Sequence, residues 1–219
     1  MSFLVTRIRN TEAAKCCRLW HYSKTIPGGS LLSYGVVEDG QPIGAVIYGG
    51  GANSNIHKPF GLARHEVVEL VRVALRGHKA PVSQIIAVTL RMLHKDCPSI
   101  RLVVSYADTA QGHHGGIYKA GGWSYLGESA SSRPVVNGRP MHKRTMSSRS
   151  PNGYKSDHWV NEKPKHKYAM GMDAETKKML DAMSKPYPRA QSIDSDVVTI
   201  QVTEGGATPT CALTELVAV

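Results

Sequence analysis

The chain has 219 residues and a mass of 23.8 kDa, enough for one domain with a full core and too short for two ordinary ones. Hydrophobic residues make up 41% and mean hydropathy is -0.26, a globular composition rather than a disordered one. With 27 Lys+Arg against 17 Asp+Glu the formal charge is +10, which favours an anionic partner.

No apolar run approaches the roughly 18 residues of a membrane span, and MSFLVTRIRNTE lacks the apolar core of a secretory signal. Cys16, Cys17, Cys97 and Cys211 form neither a CxxC pair nor a disulfide framework. The expectation is a reduced protein of the cytoplasm with no membrane partner.

In chain order, Asn10 or Thr11 can cap a helix from about Thr11 to Tyr22, with Glu12 in its first turn and Ala13, Ala14, Cys17 and Trp20 on one stripe. Pro27-Gly28-Gly29 ends it. Two extended runs, Leu31 to Glu38 and Pro42 to Tyr48, flank Asp39-Gly40, a strong hairpin signal. GGGANSN (Gly49 to Asn55) reads as a loop. A third extended run, Glu66 to Leu75, leads through RGHKAP into a helix over Pro81 to Leu93. There Val82, Ile85, Ile86, Thr89, Leu90 and Leu93 keep helical spacing, and Pro81 suits the first helical position. LVVSY (Leu102 to Tyr106) has the continuous apolar character of a buried strand.

A glycine- and histidine-rich turn follows, then a short helix near Ile117 to Ala120, a Gly121-Gly122 stop and a strand from Trp123 to Leu126. Strand, helix, strand in this order predicts an α/β (α+β) fold, with a mixed central sheet flanked by helices. Beyond Arg133 regularity fades until a helix at Asp173 to Met183. The stretch from 185 to 219 reads as an acidic, poorly packed tail with one strand at Val197 to Val202.

Charge is concentrated. Between Ser131 and Tyr168 there are nine Lys+Arg against Asp157 and Glu162, interleaved with histidines and aromatic residues. That suits a surface tracking phosphates, with Arg139, Lys143, Arg144, Arg149, Lys165 and Lys167 among the contacts.

Ligands gather beyond the carboxyl ends of strands in such sheets. That edge carries Tyr106, Asp108, His113, His114 and Tyr118. Asp108 can orient or deprotonate an amine, and Tyr118 can protonate a leaving group. The adjacent His113 and His114 lack a third ligand at a metal-binding spacing. Arg72 lies in an apolar strand, on the alternation with Val68, Leu70 and Ala74, where its charge needs a partner or a ligand. The loop with Lys79, and the helix start with Val82 and Ser83, form an anion site. His21-Tyr22-Ser23-Lys24 is a polar cluster ahead of the Pro-Gly-Gly loop.

These elements, with IYKAGGWSYLG at the end, resemble the GNAT acyltransferase fold, although Lys79-Ala80-Pro81 stands where its glycine-rich diphosphate fingerprint belongs. HYSKTIPGGSL, ELVRVAL, SYADTAQGHHGGIYKAGGW and KPKHKYAM more specifically resemble the Mom family of phage DNA-modification proteins, over about Arg18 to Met170. The resemblance implies conversion of adenine to N6-carbamoylmethyl-adenine in double-stranded DNA, protecting it from restriction. It implies catalysis by Asp108, Tyr118, His21 and Tyr22, and a donor held by Arg72 and Ser83, to which the loop and helix start of the anion site add Lys79 and Val82 as candidates. Tyr22, Tyr106 and Trp123 are stacking candidates for the base, and His113 and His114 lie beside it. Residues 1–184 then form the catalytic domain, with segment 131–168 on the duplex.

Two donors stay open: glycyl-tRNA, with an aminoacyl-tRNA as second partner, or acetyl-CoA followed by a separate, iron-assisted addition of nitrogen at His113 or His114. Dimerisation is open too. So are acyl transfer to a protein or small-molecule amine, and a non-catalytic basic nucleic-acid-binding protein.

Overall fold

The computed structural model describes residues 2–29, 31–51, 53–141 and 156–188, with main chain alone at 130 and 131. Its centre is one eight-stranded sheet. The strands in chain order are β1 (Phe3–Arg7), β2 (Leu31–Glu38), β3 (Gln41–Gly49), β4 (Val67–Leu75), β5 (Leu102–Asp108), β6 (Ser124–Val136), β7 (Arg139–Pro140) and β8 (His158–Gly171). Across the sheet they run β1-β2-β3-β4-β5-β8-β6-β7. Every described pairing is antiparallel except β4 with β5, which α2 (Val82–Asp96) connects as a crossover.

Side-chain alternation places the remaining helices. Val46, Tyr48, Val68, Leu70 and Val103 pack under Ile85, Ile86, Leu90 and Leu93 of α2. Their neighbours Ala45, Ile47, Val71 and Ala74 face the other way, against Ala13 and Cys17 of α1 (Asn10–Trp20). Val67, Leu102, Val104 and Ala169 lie under Leu180 of α4 (Ala174–Met183). The sheet is therefore covered on both faces, which its β-branched strands require.

The predicted elements are present with shifted ends. Helix α1 stops at Trp20, leaving His21 and Tyr22 outside it, and its N-cap is Arg9, whose N–H is accepted by Glu12. Pro81 precedes α2 as its N-cap instead of opening it. Asp39 and Gly40 take positive φ values of 50° and 76°, as the tight hairpin demands. Asp173 caps α4 by accepting the Thr176 N–H at 2.8 Å.

The second half departs furthest. The strand expected at Trp123 to Leu126 extends to Val136, and the segment after Arg133 contributes β7 and the 14-residue β8. Strand β8 lies inside the sheet between β5 and β6, with Leu102↔Gly171 and Asp108↔Lys165 as the ends of its pairing to β5. It was illegible as a strand because its first half is polar, and its buried positions include His166 and Tyr168. Lys185 continues the packed chain by donating its N–H to the Tyr125 carbonyl, and the Tyr187 hydroxyl donates to that of Trp123. The strand expected at Val197 to Val202 and the tail from 189 onward lie outside the described residues.

Candidate active site

Strands β4 and β5 are paired from Val67↔Leu102 only as far as Leu70↔Ser105. Beyond that pair they part, and the gap is a cleft of about 250 Å³. Its walls are β4 around Arg72, His78 and Val82 at the start of α2, Ser105 and Tyr106 of β5, and His113 with Tyr118.

A bulge sets the β4 wall. Register runs Tyr48↔Leu70 and then Ile47↔Arg72, so Val71 is the extra residue. The expected single face of Val68, Leu70, Arg72 and Ala74 is thereby split: Val68 and Leu70 stay under α2, while Val71 and Ala74 pack with α1. Arg72 donates from Nε to the Thr25 carbonyl at 3.2 Å and from Nη1 to the Val71 carbonyl at 2.6 Å. It ties the loop after α1 to the cleft wall.

Tyr118, in α3 (Gly116–Ala120), is 6% exposed yet lines the cleft. Its ring stacks on Tyr168 at 4.7 Å and meets Trp123 edge-on at 5.2 Å. Gly115, at φ 76°, permits that stack, because a Cβ there would collide with the Tyr168 ring. Ser105 donates its only proton to the Leu70 carbonyl at 3.0 Å. In the 2.8 Å contact between the two hydroxyls, Tyr118 is therefore the donor. Burial pushes the Tyr118 hydroxyl up to about 12, so it keeps its proton at neutral pH.

Asp108 ends β5 beside this cleft. Its carboxylate accepts from Lys165 at 3.0 Å, the Ala110 N–H at 3.1 Å and the Tyr22 hydroxyl at 3.4 Å. Burial pushes its pKa up, but Lys165, the Ala110 amide and the Tyr22 hydroxyl outweigh this and hold it below the usual carboxylate range. Tyr22 also meets His113 edge-on at 5.8 Å and lies 4.3 Å from His21, ring to ring. Burial, then the charge of Arg72, pushes His21 down to about 4. Its Nδ1 accepts the Ser23 N–H at 3.1 Å, which puts the ring proton of this neutral imidazole on Nε2.

The structure thus brings Arg72, Val82, Tyr106, His113 and Tyr118 to one cleft, with Asp108, His21 and Tyr22 adjoining it. Other expected site residues stand elsewhere. Trp123 is 1% exposed in the core and cannot stack on a base. Lys167 is half-buried over the Phe60 ring at 4.8 Å, where burial lowers its pKa. Lys165 pairs with Asp108.

His114 offers its carbonyl to the Tyr168 hydroxyl at 3.2 Å. Among the described residues no group of three His, Cys, Asp or Glu side chains could hold a metal ion. Ser83 lies in the first turn of α2 outside the cleft lining. Arg139 is exposed on β7, whereas Lys143, Arg144 and Arg149 lie outside the described residues.

Lys79 bonds to Asp39 at 2.8 Å through Nζ, and its N–H donates to the Glu38 carboxylate. Sequence reasoning passed over Glu38, whose only signal was a carboxylate closing an otherwise apolar strand. Ser105, inside the apolar run LVVSY, carries no sequence signal of its contact with Tyr118. Lys165 was seen only as a cation, because its pairing with Asp108 depends on β8 entering the sheet.

Methylcarbamoylase mom of Escherichia phage Mu is 27% identical over 130 residues, which are 58% of this chain and 54% of that protein; the aligned region thus spans about half the length of this curated relative. Among solved structures, aminoglycoside acetyltransferase AAC(6')-Ib in complex with coenzyme A superposes with a TM-score of 0.49 at 11% identity, over 81% of this chain and 99% of its own. Spermidine/spermine N-acetyltransferase SpeG from Vibrio cholerae does so with 0.45 at 10%, over 80% and 96%. The profile of the Mom protein family matches residues 2–189, nearly everything described above, and the chain belongs to that family.

Proposed function

We propose that this protein is a phage DNA-modification enzyme that transfers a group to the N6 amine of adenine in duplex DNA, yielding the carbamoylmethyl derivative. One observation carries the reading. A protonated, buried tyrosine lines a cleft opened by the parting of two parallel strands, and an ionised aspartate joins that cleft through Tyr22 and His113. Membership of the Mom protein family supports the DNA substrate. At about 250 Å³ the cleft falls just below the roughly 300–1,000 Å³ of drug-sized sites, a scale suited to one base and a short acyl group.

Each side chain has a distinct task. The Asp108 carboxylate, kept ionised by Lys165, accepts a hydrogen bond from the adenine N6–H and aims its lone pair. His21 donates from Nε2. Tyr118 turns its hydroxyl proton from Ser105 to the leaving oxygen, and Arg72 holds the loop that carries His21 and Tyr22 against the cleft. The base must first leave the duplex, at a cost of a few kcal/mol. Tyr22 and Tyr106 are available to stack on it. The basic segment 131–168, with Arg139 and, outside the described residues, Lys143, Arg144 and Arg149, holds the backbone.

Atom counting selects the donor. N–CH2–CO–NH2 contains a second nitrogen that acetyl transfer does not bring. A glycyl ester, as in glycyl-tRNA, acylates N6 with release of the carrier hydroxyl to give N–CO–CH2–NH2, an isomer of the product. Attack of its free amine on the ring carbon, with cleavage of the original C–N6 bond, then yields the carbamoylmethyl group. No electrons are exchanged.

Purified protein and DNA incubated with labelled glycyl-tRNA, and separately with labelled acetyl-CoA, test this by mass spectrometry of released nucleosides. The expected result is label in a new adenine derivative from glycine alone. Label from acetyl-CoA alone ends the glycyl proposal, and no new nucleoside with either donor ends the enzymatic one.

A further inference from the structure

The loop between β4 and α2 is where the fold resemblance seats the diphosphate of coenzyme A, and this loop is already filled. Glu38, the last residue of β2, is 7% exposed. Its two carboxylate oxygens each accept one backbone N–H, Oε2 from Lys79 and Oε1 from Ala80, both at 2.8 Å. The next residue, Pro81, has no N–H to offer. The cation beside them, Lys79, is held at 2.8 Å by Asp39 of the adjoining hairpin turn. An arriving phosphate would find two amide donors occupied, one missing, the lysine cation paired with Asp39 and a carboxylate on the amides it would need.

We propose that Glu38 is a specificity-determining residue: its carboxylate is a built-in anion that closes the seat in front of α2, so the donor's carrier is not read through a diphosphate. The transferable group then enters the Arg72–Tyr118 cleft on a carrier recognised by other means, and coenzyme A gains nothing from its nucleotide half. The residues present do not fit coenzyme A in the way the fold resemblance implies. This deepens the group-transfer reading and rests on it, and binding separates the two because it needs no turnover.

The test is calorimetric titration of the full chain with coenzyme A, pantetheine and inorganic pyrophosphate, on the wild type and on Glu38→Gln and Glu38→Ala. For the wild type, coenzyme A and pantetheine are expected to bind within about threefold of each other, with undetectable binding of both counting as equal, and millimolar pyrophosphate to give no heat. In the variants the freed amides should raise pyrophosphate affinity at least tenfold, a gain that a merely structural carboxylate would not produce. Wild-type binding of coenzyme A at least tenfold tighter than pantetheine overturns the proposal. So do folded variants with unchanged pyrophosphate affinity. If neither variant folds, the wild-type comparison alone decides. A chain that binds as expected but modifies no adenine loses the transferase reading and keeps the assignment of Glu38.

Discussion

Replacing Tyr118 with Phe removes one oxygen and little else, so its two consequences can be separated. The ring stays between Tyr168 and Trp123, and Ser105 keeps its bond to the Leu70 carbonyl. What is lost is one buried hydroxyl pair at 2.8 Å. The net value of such a bond is about 1 kcal/mol, which in a unit of this size lowers Tm by about 2–4 °C. The chemical loss is of another order, because a positioned proton donor contributes roughly 10²–10⁴ in rate.

Initial rates of adenine modification, measured beside thermal unfolding of the same preparation, are therefore expected to fall at least 100-fold while Tm moves only a few degrees. A rate within tenfold of wild type at that small Tm shift refutes the reasoning, and leaves Tyr118 as a core residue that merely borders the cleft.

Other outcomes follow from the same geometry. Asp108→Ala should abolish modification while duplex affinity stays within about threefold, since the stranded Lys165 is partly solvated and the pair contributes only about 0–1 kcal/mol to stability; modification that persists removes Asp108 from the mechanism. Burial holds Tyr106, Tyr118 and Tyr168 at about 12 in the folded chain, against about 10 unfolded. Between those values the unfolded chain has released protons that the native chain keeps, so stability must fall as pH rises through 10. A Tm that stays flat to pH 11 contradicts this.

Trp123→Ala should cost about 3–5 kcal/mol and shift the urea midpoint sharply, as for any fully buried large side chain. Tyr106→Ala, at the cleft, should instead weaken capture of the base by about 1–3 kcal/mol, read as a raised KM for the DNA substrate. Reversal of that pattern would return Trp123 to the site.

Much of the first half was legible because its signals are local. Asp39-Gly40 between two β-branched runs has one cheap solution, a tight hairpin with both residues at positive φ. The apolar stripe of Val82 to Leu93 has one face to bury, and it buries it. Tyr106, Asp108, His113 and Tyr118 could be singled out because ligands gather beyond the carboxyl end of an apolar strand, and Arg72 because a charge inside one needs a partner. Local chemistry also made Asp173 a cap and Gly121-Gly122 a stop.

Tertiary structure decided what depends on partners distant in sequence. The strand His158–Gly171 forms because β5 and β6 offer it hydrogen bonds on both edges, not because its composition favours extension. Its insertion turns Lys165 from a surface cation into the counter-charge of Asp108, and sets Trp123 in the core and Lys167 over the Phe60 ring. The bulge at Val71 defeats simple alternation and redirects Arg72 toward the Thr25 carbonyl. Glu38 reaches two amides about forty residues away, because folding sets the end of β2 against the loop before α2. Periodicity and turn chemistry act over a few residues and can be read along the chain; charge pairing and burial are settled only by which segments the sheet makes neighbours.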